Sequence, residues 1–285
     1  MSFRPPVVLT IAGFDPSSGA GVTADIKTIA AHDCYGLACI SALTVQSTTG
    51  VRRVQAADPG WVSDTLDELS SDIPIAAIHI GMLGSAQVVQ AVANFLERFS
   101  AQFPANASSG LGRIVLDPIL KSTSGRDLLD GPGAKLLIER LAPLATVITP
   151  NLAEAAALTE TDVSNLDEMR VAARRLHTIG SKAVVITGGH LDEAIDLLSL
   201  DTVRGIEQEV FRTNKLQSAS THGTGCAFST SLACHLAMDR GLSEATLLAK
   251  TYVAAAISAG HALGRGLAPP HHLYRLANLR HPLSG

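Results

Sequence analysis

Runs of consecutive apolar residues, separated by segments of helical periodicity, constrain this chain more than any other feature. A strand with one wet face alternates apolar and polar residues, and a strand covered on both faces does not need to. Residues 7–13, 75–80, 114–116, 146–148 and 183–187 are apolar almost throughout, and 37–45 is rich in β-formers. Between them lie helical readings at 21–32 (Val22, Ile26 and Ile29 on one face), 61–70 behind the start signal Asp58-Pro59, 86–99, 133–141, 151–158 and 166–179. Two long helices are expected at 225–238 and 243–263, a loop at 101–112, and polar, mixed strands over 194–217. Such strands alternating with helices predict an α/β fold, a mostly parallel central sheet with helices on both faces. No repeat, linker or low-complexity tract divides the 285 residues, so a single domain over 1–285 is expected.

In sheets of this kind ligands bind beyond the carboxyl ends of the strands. Here those ends carry Gly13-Phe14-Asp15, Gln46-Ser47, Gly81-Met82, Asp117-Pro118, Thr149-Pro150-Asn151 and Gly188-Gly189, which gathers small, polar and acidic residues along one edge. Composition narrows the ligand class. Acids outnumber bases 26 to 22, for a net charge of −4, without the basic footprint of a nucleic-acid binder. No stretch of about 18 apolar residues reads as a membrane span, and the apolar run at 7–12 is too short for a signal peptide. Cys34, Cys39, Cys226 and Cys234 form no C-x-x-C pair and read as reduced thiols of a cytoplasmic protein.

Four stretches carry chemistry. The loop Gly13-Phe14-Asp15-Pro16-Ser17-Ser18-Gly19-Ala20-Gly21 lets backbone approach a ligand just before a helix. Gly19, Gly21 and Ala24 fit G-x-G-x-x-A, but the acid of a dinucleotide fingerprint is missing where Gln46 ends the second strand, which disfavours a Rossmann oxidoreductase. His222-Gly223-Thr224-Gly225-Cys226 opens a long apolar helix, whose N–H groups offer an anion hole and whose dipole favours a lowered thiol pKa at Cys226. The plainer reading makes Cys226 a small buried hydrophobe and the glycines turn residues. Asn151 and Glu154, three apart at a helix start, suit hydrated Mg²⁺ with phosphates, or simply a helix cap. Asp117, directly after a buried strand, serves a metal, a leaving phosphate or a turn. Among the rest, His79 reads as a satisfied core residue, His222 as a group orienting the anion hole or a turn residue, and Asp25 as solvated or salt-bridged. Trp61 reads as helix packing and His271-His272 as surface residues.

Taken in order, TIAGFDPSSGAG, Gln46, IGML, LDP, ITPNLAEA, a GGH and STHGTGC span nearly the whole chain. The set resembles the hydroxymethylpyrimidine/phosphomethylpyrimidine kinases of thiamine biosynthesis, which have the ribokinase-like fold. The resemblance implies ATP and Mg²⁺ as cofactors and a small pyrimidine as substrate. It implies phosphorylation of 4-amino-5-hydroxymethyl-2-methylpyrimidine, then of its monophosphate to the pyrophosphate. It assigns Gly13, Asp15, Gly19, Ala20, Gln46 and Met82 to the pyrimidine pocket. Gly223, Thr224 and Gly225 become the anion hole, with Cys226 nearest the substrate hydroxyl as general base. Asn151, Thr187, Gly189 and Thr224 fall on the ATP phosphates, and Glu154 and Asp117 on Mg²⁺. Relatives of this fold are often dimers, so a cytoplasmic homodimer is implied.

Three departures stand out. The first loop reads Ser18-Gly19-Ala20-Gly21 where the family often has GGAG, Thr187 stands where members often carry lysine, and Thr123-Ser124-Gly125 replaces a Lys-Ser-Gly, with Lys121 two residues earlier. The alternatives are a pyridoxal/pyridoxine kinase of the same fold, and a non-catalytic ligand-binding relative. Gln46 with Met82, and Cys rather than Asp at 226, favour the aminopyrimidine.

Overall fold

In a computed structural model, which describes residues 4–102, 113–189, 191, 193–213, 220 and 222–276, the apolar runs form the interior of one nine-stranded sheet. Strands β1 (Val7–Phe14), β2 (Tyr35–Ser47), β4 (Ala77–Ile80), β5 (Ile114–Leu116), β6 (Val147–Ile148) and β7 (Ala183–Gly188) are parallel, in the order β2-β1-β4-β5-β6-β7. The edges are antiparallel: β3 (Gly50–Ala56) beside β2, and the hairpin β8 (Ala194–Thr202) and β9 (Gly205–Thr213) beyond β7. The expected mostly parallel sheet is thus present, and the strand β3 was not foreseen. Its sequence GVRRVQA puts two arginines among small apolar residues, and only an edge position tolerates that.

Along β1, β4, β5, β6 and β7, successive residues enter opposite cores. Leu9, Ile11, Ile78, Ile80, Leu116, Ile148, Val184 and Ile186 pack with Val62, Leu66, Val88, Phe95, Leu96, Met169 and Leu176. These come from α2 (Pro59–Asp72), α3 (Ala86–Gln102) and α6 (Leu166–Thr178). Val8, Ala77, Val115, Val147, Ala183 and Val185 pack instead with Ile29, Phe228, Leu232, Ala233, Ala245 and Ala249. Those belong to α1 (Gly21–Ala31), α7 (Thr224–Ala237) and α8 (Leu242–Ser258). Helices cover both faces, which is why the inner strands carry no polar alternation.

Helix starts follow local chemistry. Asp58 accepts the Trp61 N–H at the head of α2, Asp130 that of Gly133 at α4 (Gly131–Leu136), and Asn165 that of Glu168 at α6. Several ends differ from the periodicity. After α4 the chain continues as a π-helical turn, Leu137–Leu141. The last helix stops at Ser258, five residues short of Leu263, and Gly260 just beyond it lies so close to the Ser220 side chain that no Cβ fits there. Ala101 and Gln102 belong to α3, and the rest of the expected loop, 103–112, lies outside the described residues, as do 214–217 of the strand-rich segment. Trp61 is 73% exposed rather than packed, and His272 is buried rather than on the surface. No helix among the described residues is long and apolar enough to cross a membrane.

Behind the sheet a histidine cluster joins α1, α7, α8 and the C-terminal segment. The His32 ring meets His235 edge-on at 4.9 Å and Tyr252 at 4.5 Å, its Nδ1 bonds the Thr28 carbonyl at 2.7 Å, and its Nε2 lies 2.9 Å from Ser231 Oγ. Tyr252 donates to the His272 carbonyl, and His272 Nδ1 lies 3.2 Å from Thr28 Oγ1. Burial pushes His32 and His272 down to about 4 and His235 to about 3. Unfolded, each titrates near 6.5, so between pH 6.5 and these values the unfolded chain binds more protons and stability is lost as the pH is lowered. Among the described residues neither ring nitrogen of His235 has a partner. His235→Leu is therefore expected to flatten the acid side of the urea-unfolding profile by about 1.4 kcal/mol per pH unit between pH 6 and 4. It is also expected to raise stability at pH 7 by about 1 kcal/mol. An unchanged slope contradicts a buried, neutral His235.

Candidate active site

All six inner strands deliver their carboxyl ends to one edge, and two glycine loops far apart in sequence meet there. The first follows β1. Asp15 is buried, and its carboxylate binds the loop together: Oδ1 accepts the Ser17 N–H at 2.8 Å and the Ser17 hydroxyl at 2.7 Å. Oδ2 accepts the N–H groups of Gly19 at 3.2 Å and Ala20 at 2.9 Å. Lys27 of α1 ties the same loop from outside through the Ser18 carbonyl, at 2.9 Å. The second loop precedes α7, and its His222 places Nε2 3.2 Å from Asp15 Oδ2. Burial pushes the Asp15 carboxyl up, but the bonds from His222, Ser17 and Ala20 outweigh it and hold the group below the ordinary carboxylate value.

The loops touch backbone to backbone. Gly223 has φ +81°, and a Cβ there collides with the Gly19 carbonyl oxygen. Gly21, at φ +60°, sits equally tightly against the Gly13 carbonyl. Only glycine satisfies both the conformation and the approach. A Cβ on Gly13 meets Met82 Sδ at 2.9 Å, so Met82 lies directly over Gly13. Gln46, at the end of β2, lies with Nε2 3.2 Å from His222 Nε2 and Oε1 3.2 Å from Thr44 Oγ1. The structure therefore brings Gly13, Asp15, Gly19, Ala20, Gln46 and Met82 together. It adds His222, whose ring covers Gly19, and Thr44, which anchors Gln46. Asp15 works from inside the loop, since five donors occupy its carboxylate.

The adjoining half of the edge is acidic. Asp117, after β5, lies 3.1 Å from the Ser229 hydroxyl, which donates to Oδ2, and 3.9 Å from the Cβ position of Gly225. Asn151 and Glu154 form the capping box of α5 (Leu152–Thr159): Asn151 Oδ1 accepts the Glu154 N–H and Glu154 Oε2 accepts the Asn151 N–H, both at 2.9 Å. The pair thus caps the helix, with Glu154 buried rather than on the surface. Burial raises Glu154 to about 8, helped by the charge of Asp117, and raises Asp117 to about 6. Buried carboxylates whose ionisation is opposed by burial and by neighbouring acids suit a divalent cation that keeps several waters and takes phosphate oxygens. Among the described residues no group of three or more His, Cys, Asp or Glu is arranged to hold a metal. Asn151 pairs with Thr187 in a parallel bridge, and Thr187 donates its N–H to the Pro150 carbonyl at 3.0 Å. Gly189 faces open space. Lys121, the candidate substitute for a phosphate-facing lysine, is exposed and pairs with Asp127 at 3.4 Å. Lys250 binds Asp196 Oδ2 at 2.8 Å, and Asp196 Oδ1 accepts the Gly188 N–H at 3.0 Å, bracing the turn behind Gly189. His190 of the GGH and Thr221 of the last motif lie outside the described residues.

Helix α7 starts on Gly223 with no side-chain cap among the described residues, unlike α2, α4, α5 and α6. A helix N-terminus of this kind can accept an anion. The electrostatics of Cys226 differ from the expectation. Burial and the charges of Asp117, Asp25 and Glu154 push the thiol well above its ordinary value, although it accepts a backbone hydrogen bond from Gly21. A helix terminus contributes at most about 2 kcal/mol, and buried carboxylates nearby overcome it.

The fold and the site together describe a phosphotransferase of the ribokinase-like class. The family model described as phosphomethylpyrimidine kinase matches residues 15–271. The chain is 38% identical over 275 residues to the hydroxymethylpyrimidine/phosphomethylpyrimidine kinase of Rhizobium meliloti, covering 94% of this chain and 97% of that protein. It is 38% identical to the thiamine biosynthesis bifunctional protein ThiED of Geobacter sulfurreducens, covering 96% of this chain but only 53% of that longer protein. Among solved structures, an ADP complex of Bacillus subtilis pyridoxal kinase superposes with a TM-score of 0.82 at 31% identity, covering 96% of this chain and 100% of that one. The chain belongs to the phosphomethylpyrimidine kinase family, and it is a kinase.

The backbone contact at Gly223 gives a direct check. Gly223→Ala is expected to lower kcat/KM by at least about 100-fold, since strain at a positive φ costs about 1–3 kcal/mol before the collision with Gly19 is counted. Gly241→Ala, at a glycine with open space around it, is the control and stays within about twofold. Equal activities in a steady-state assay contradict the close approach.

Proposed function

We propose that this kinase transfers the terminal phosphoryl group of ATP to the hydroxymethyl oxygen of 4-amino-5-hydroxymethyl-2-methylpyrimidine, and then to the resulting monophosphate, as a single domain acting in thiamine biosynthesis. The observation that carries this reading is the junction of Gln46, Asp15 and His222 beside Gly223, the residue on which α7 starts. It sets a planar hydrogen-bonding pocket next to an anion hole. Gln46 presents an amide edge to the aminopyrimidine, Met82 and Gly13 give it a flat apolar floor, and the Asp15-bound amides of Gly19 and Ala20 fix the loop around it. Phosphoryl transfer needs positioned oxygens and a sink for charge on the equatorial oxygens. The amides of Gly223, Thr224 and Gly225 supply that sink. Asn151, Thr187 and Gly189 line the nucleotide phosphates.

Asp117 and Glu154 are the residues that would hold Mg²⁺, and the ion, when bound, neutralises phosphate charge. Cys226 stands beside the acceptor hydroxyl as a neutral thiol rather than a preformed thiolate, because burial and its carboxylate neighbours keep its proton on. The setting is the cytoplasm, where such thiols stay reduced. The pyridoxal kinase alternative draws support from the close superposition on that enzyme.

A coupled ADP-release assay offering the pyrimidine alcohol, its monophosphate and pyridoxal as competing acceptors tests the assignment. Both pyrimidines are expected to turn over at least about tenfold better in kcat/KM than pyridoxal. Preference for pyridoxal reverses the two readings, and no ADP with any acceptor leaves a ligand-binding relative. Cys226→Ser is expected to keep the fold and slow the first phosphorylation by about tenfold, and an unchanged rate removes Cys226 from the reaction.

We also propose a homodimer through an apolar strip on the outer face of β2. Ile40, Leu43 and Val45 are exposed, as is Trp61, and Ile40, Leu43 and Trp61 line a groove of about 360 Å³ with Ala56 and Ala57. Outward positions of an antiparallel edge pair are ordinarily polar, and apolar patches of this kind favour protein contacts. Light scattering behind a sizing column is expected to show a dimer for the native chain and a monomer for Trp61→Asp with Leu43→Glu. A monomeric native chain sinks the proposal.

A further inference from the structure

Below the acidic half of the site runs a string of buried polar groups that the pocket residues do not account for. Asp25 on α1 is fully enclosed, and its two oxygens accept the hydroxyls of Thr10 at 2.7 Å and Thr230 at 2.9 Å. Each threonine spends its only proton on Asp25, so each turns a lone pair to His79. His79 Nδ1 lies 3.1 Å from Thr10 Oγ1, 3.4 Å from Thr230 Oγ1 and 3.5 Å from Asp25 Oδ2. With acceptors alone on that side, Nδ1 is a donor. Across the ring, Nε2 is 2.9 Å from Ser229 Oγ, and that hydroxyl reaches Asp117 Oδ2 at 3.1 Å. The same Ser229 oxygen lies 3.1 Å from the carbonyls of Gly225 and Cys226, in the first turn of α7.

The string thus links α1, β1, β4 and α7 to one oxygen of Asp117. Its members lie between apolar layers, where a polar group is tolerated only when fully bonded. A chain that needed only to fold has apolar side chains available for this space. We infer that His79 and Ser229 are positioning residues for the Asp117 carboxylate, with Asp25 and its two threonines holding the imidazole in the orientation that keeps Ser229 against Asp117. This rests on the reading of Asp117 as a carboxylate of the cation and phosphate half of the site. Groups that orient a ligating residue typically change metal affinity by about 10- to 100-fold when removed.

Mn²⁺ titrated into the purified protein with ADP, followed by electron paramagnetic resonance, reads this directly and does not depend on turnover. Ser229→Ala removes one hydroxyl and is expected to weaken Mn²⁺ binding by at least about tenfold. Its KM for the pyrimidine alcohol and its circular dichroism stay unchanged, while kcat falls at fixed Mg²⁺ and partly recovers at high Mg²⁺. His79→Gln is expected to behave in the same way, and if it fails to fold, Ser229→Ala decides alone. Asp117→Ala separates the two ideas. If it abolishes Mn²⁺ binding while Ser229→Ala binds within twofold of the native protein, the positioning role is wrong and the reading of Asp117 stands. If Asp117→Ala itself binds Mn²⁺ normally, both fall.

Discussion

Backbone contact between two glycine loops, about two hundred residues apart in sequence, is the constraint on which the rest of the site depends. Gly223 lies on the Gly19 carbonyl and Gly21 on that of Gly13, so the start of α7 is pressed against the loop that ends β1. Glycine permits the approach, but does not hold it. The holding is done by Asp15, whose carboxylate collects Ser17, Gly19, Ala20 and His222 into one bonded unit. Charged acceptors make the stronger hydrogen bonds, and a single buried carboxylate can therefore join segments that share no strand or helix.

Next to this amide-rich junction sits a second group of carboxylates. Asp117, Glu154 and, further in, Asp25 are buried near one another, and the rise in the first two shows the mutual cost. A protein tolerates such an arrangement where a cation or a transferred phosphate with its metal completes it. The same charges reverse the simple expectation for Cys226. A thiol in the first turn of a helix feels the dipole, yet the carboxylates and the lack of water act over the same distance and with more weight.

Much of the architecture was legible in the residues. Unbroken apolar strands required two covered faces, and Leu9 and Val8 do enter opposite cores. The residues after each strand gathered at one edge as topology demands. What escaped were features whose cause is non-local. Edge strand β3 has no periodic signature of its own and exists because β2 offers it a partner. Trp61 follows a helical pattern, yet α2 turns it outward. His272 sits in a polar, proline-flanked stretch, yet it packs under Tyr252. Ser229 shares a helical face with Gly225 and Cys226, a local spacing that carries no trace of its bond to Asp117.

The order of apolar runs, glycine loops and cap residues determined by itself the parallel sheet, its doubly covered faces and the edge at which chemistry gathers. Each of these follows from local backbone preference and from the periodicity of strands and helices. Only the tertiary structure decided which distant groups share a charge environment: His222 with Asp15, His79 with Ser229 and Asp117, Cys226 with three carboxylates. Electrostatic and hydrogen-bond energies depend on separation and on exclusion of water, and neither quantity is written in the spacing of residues along a chain.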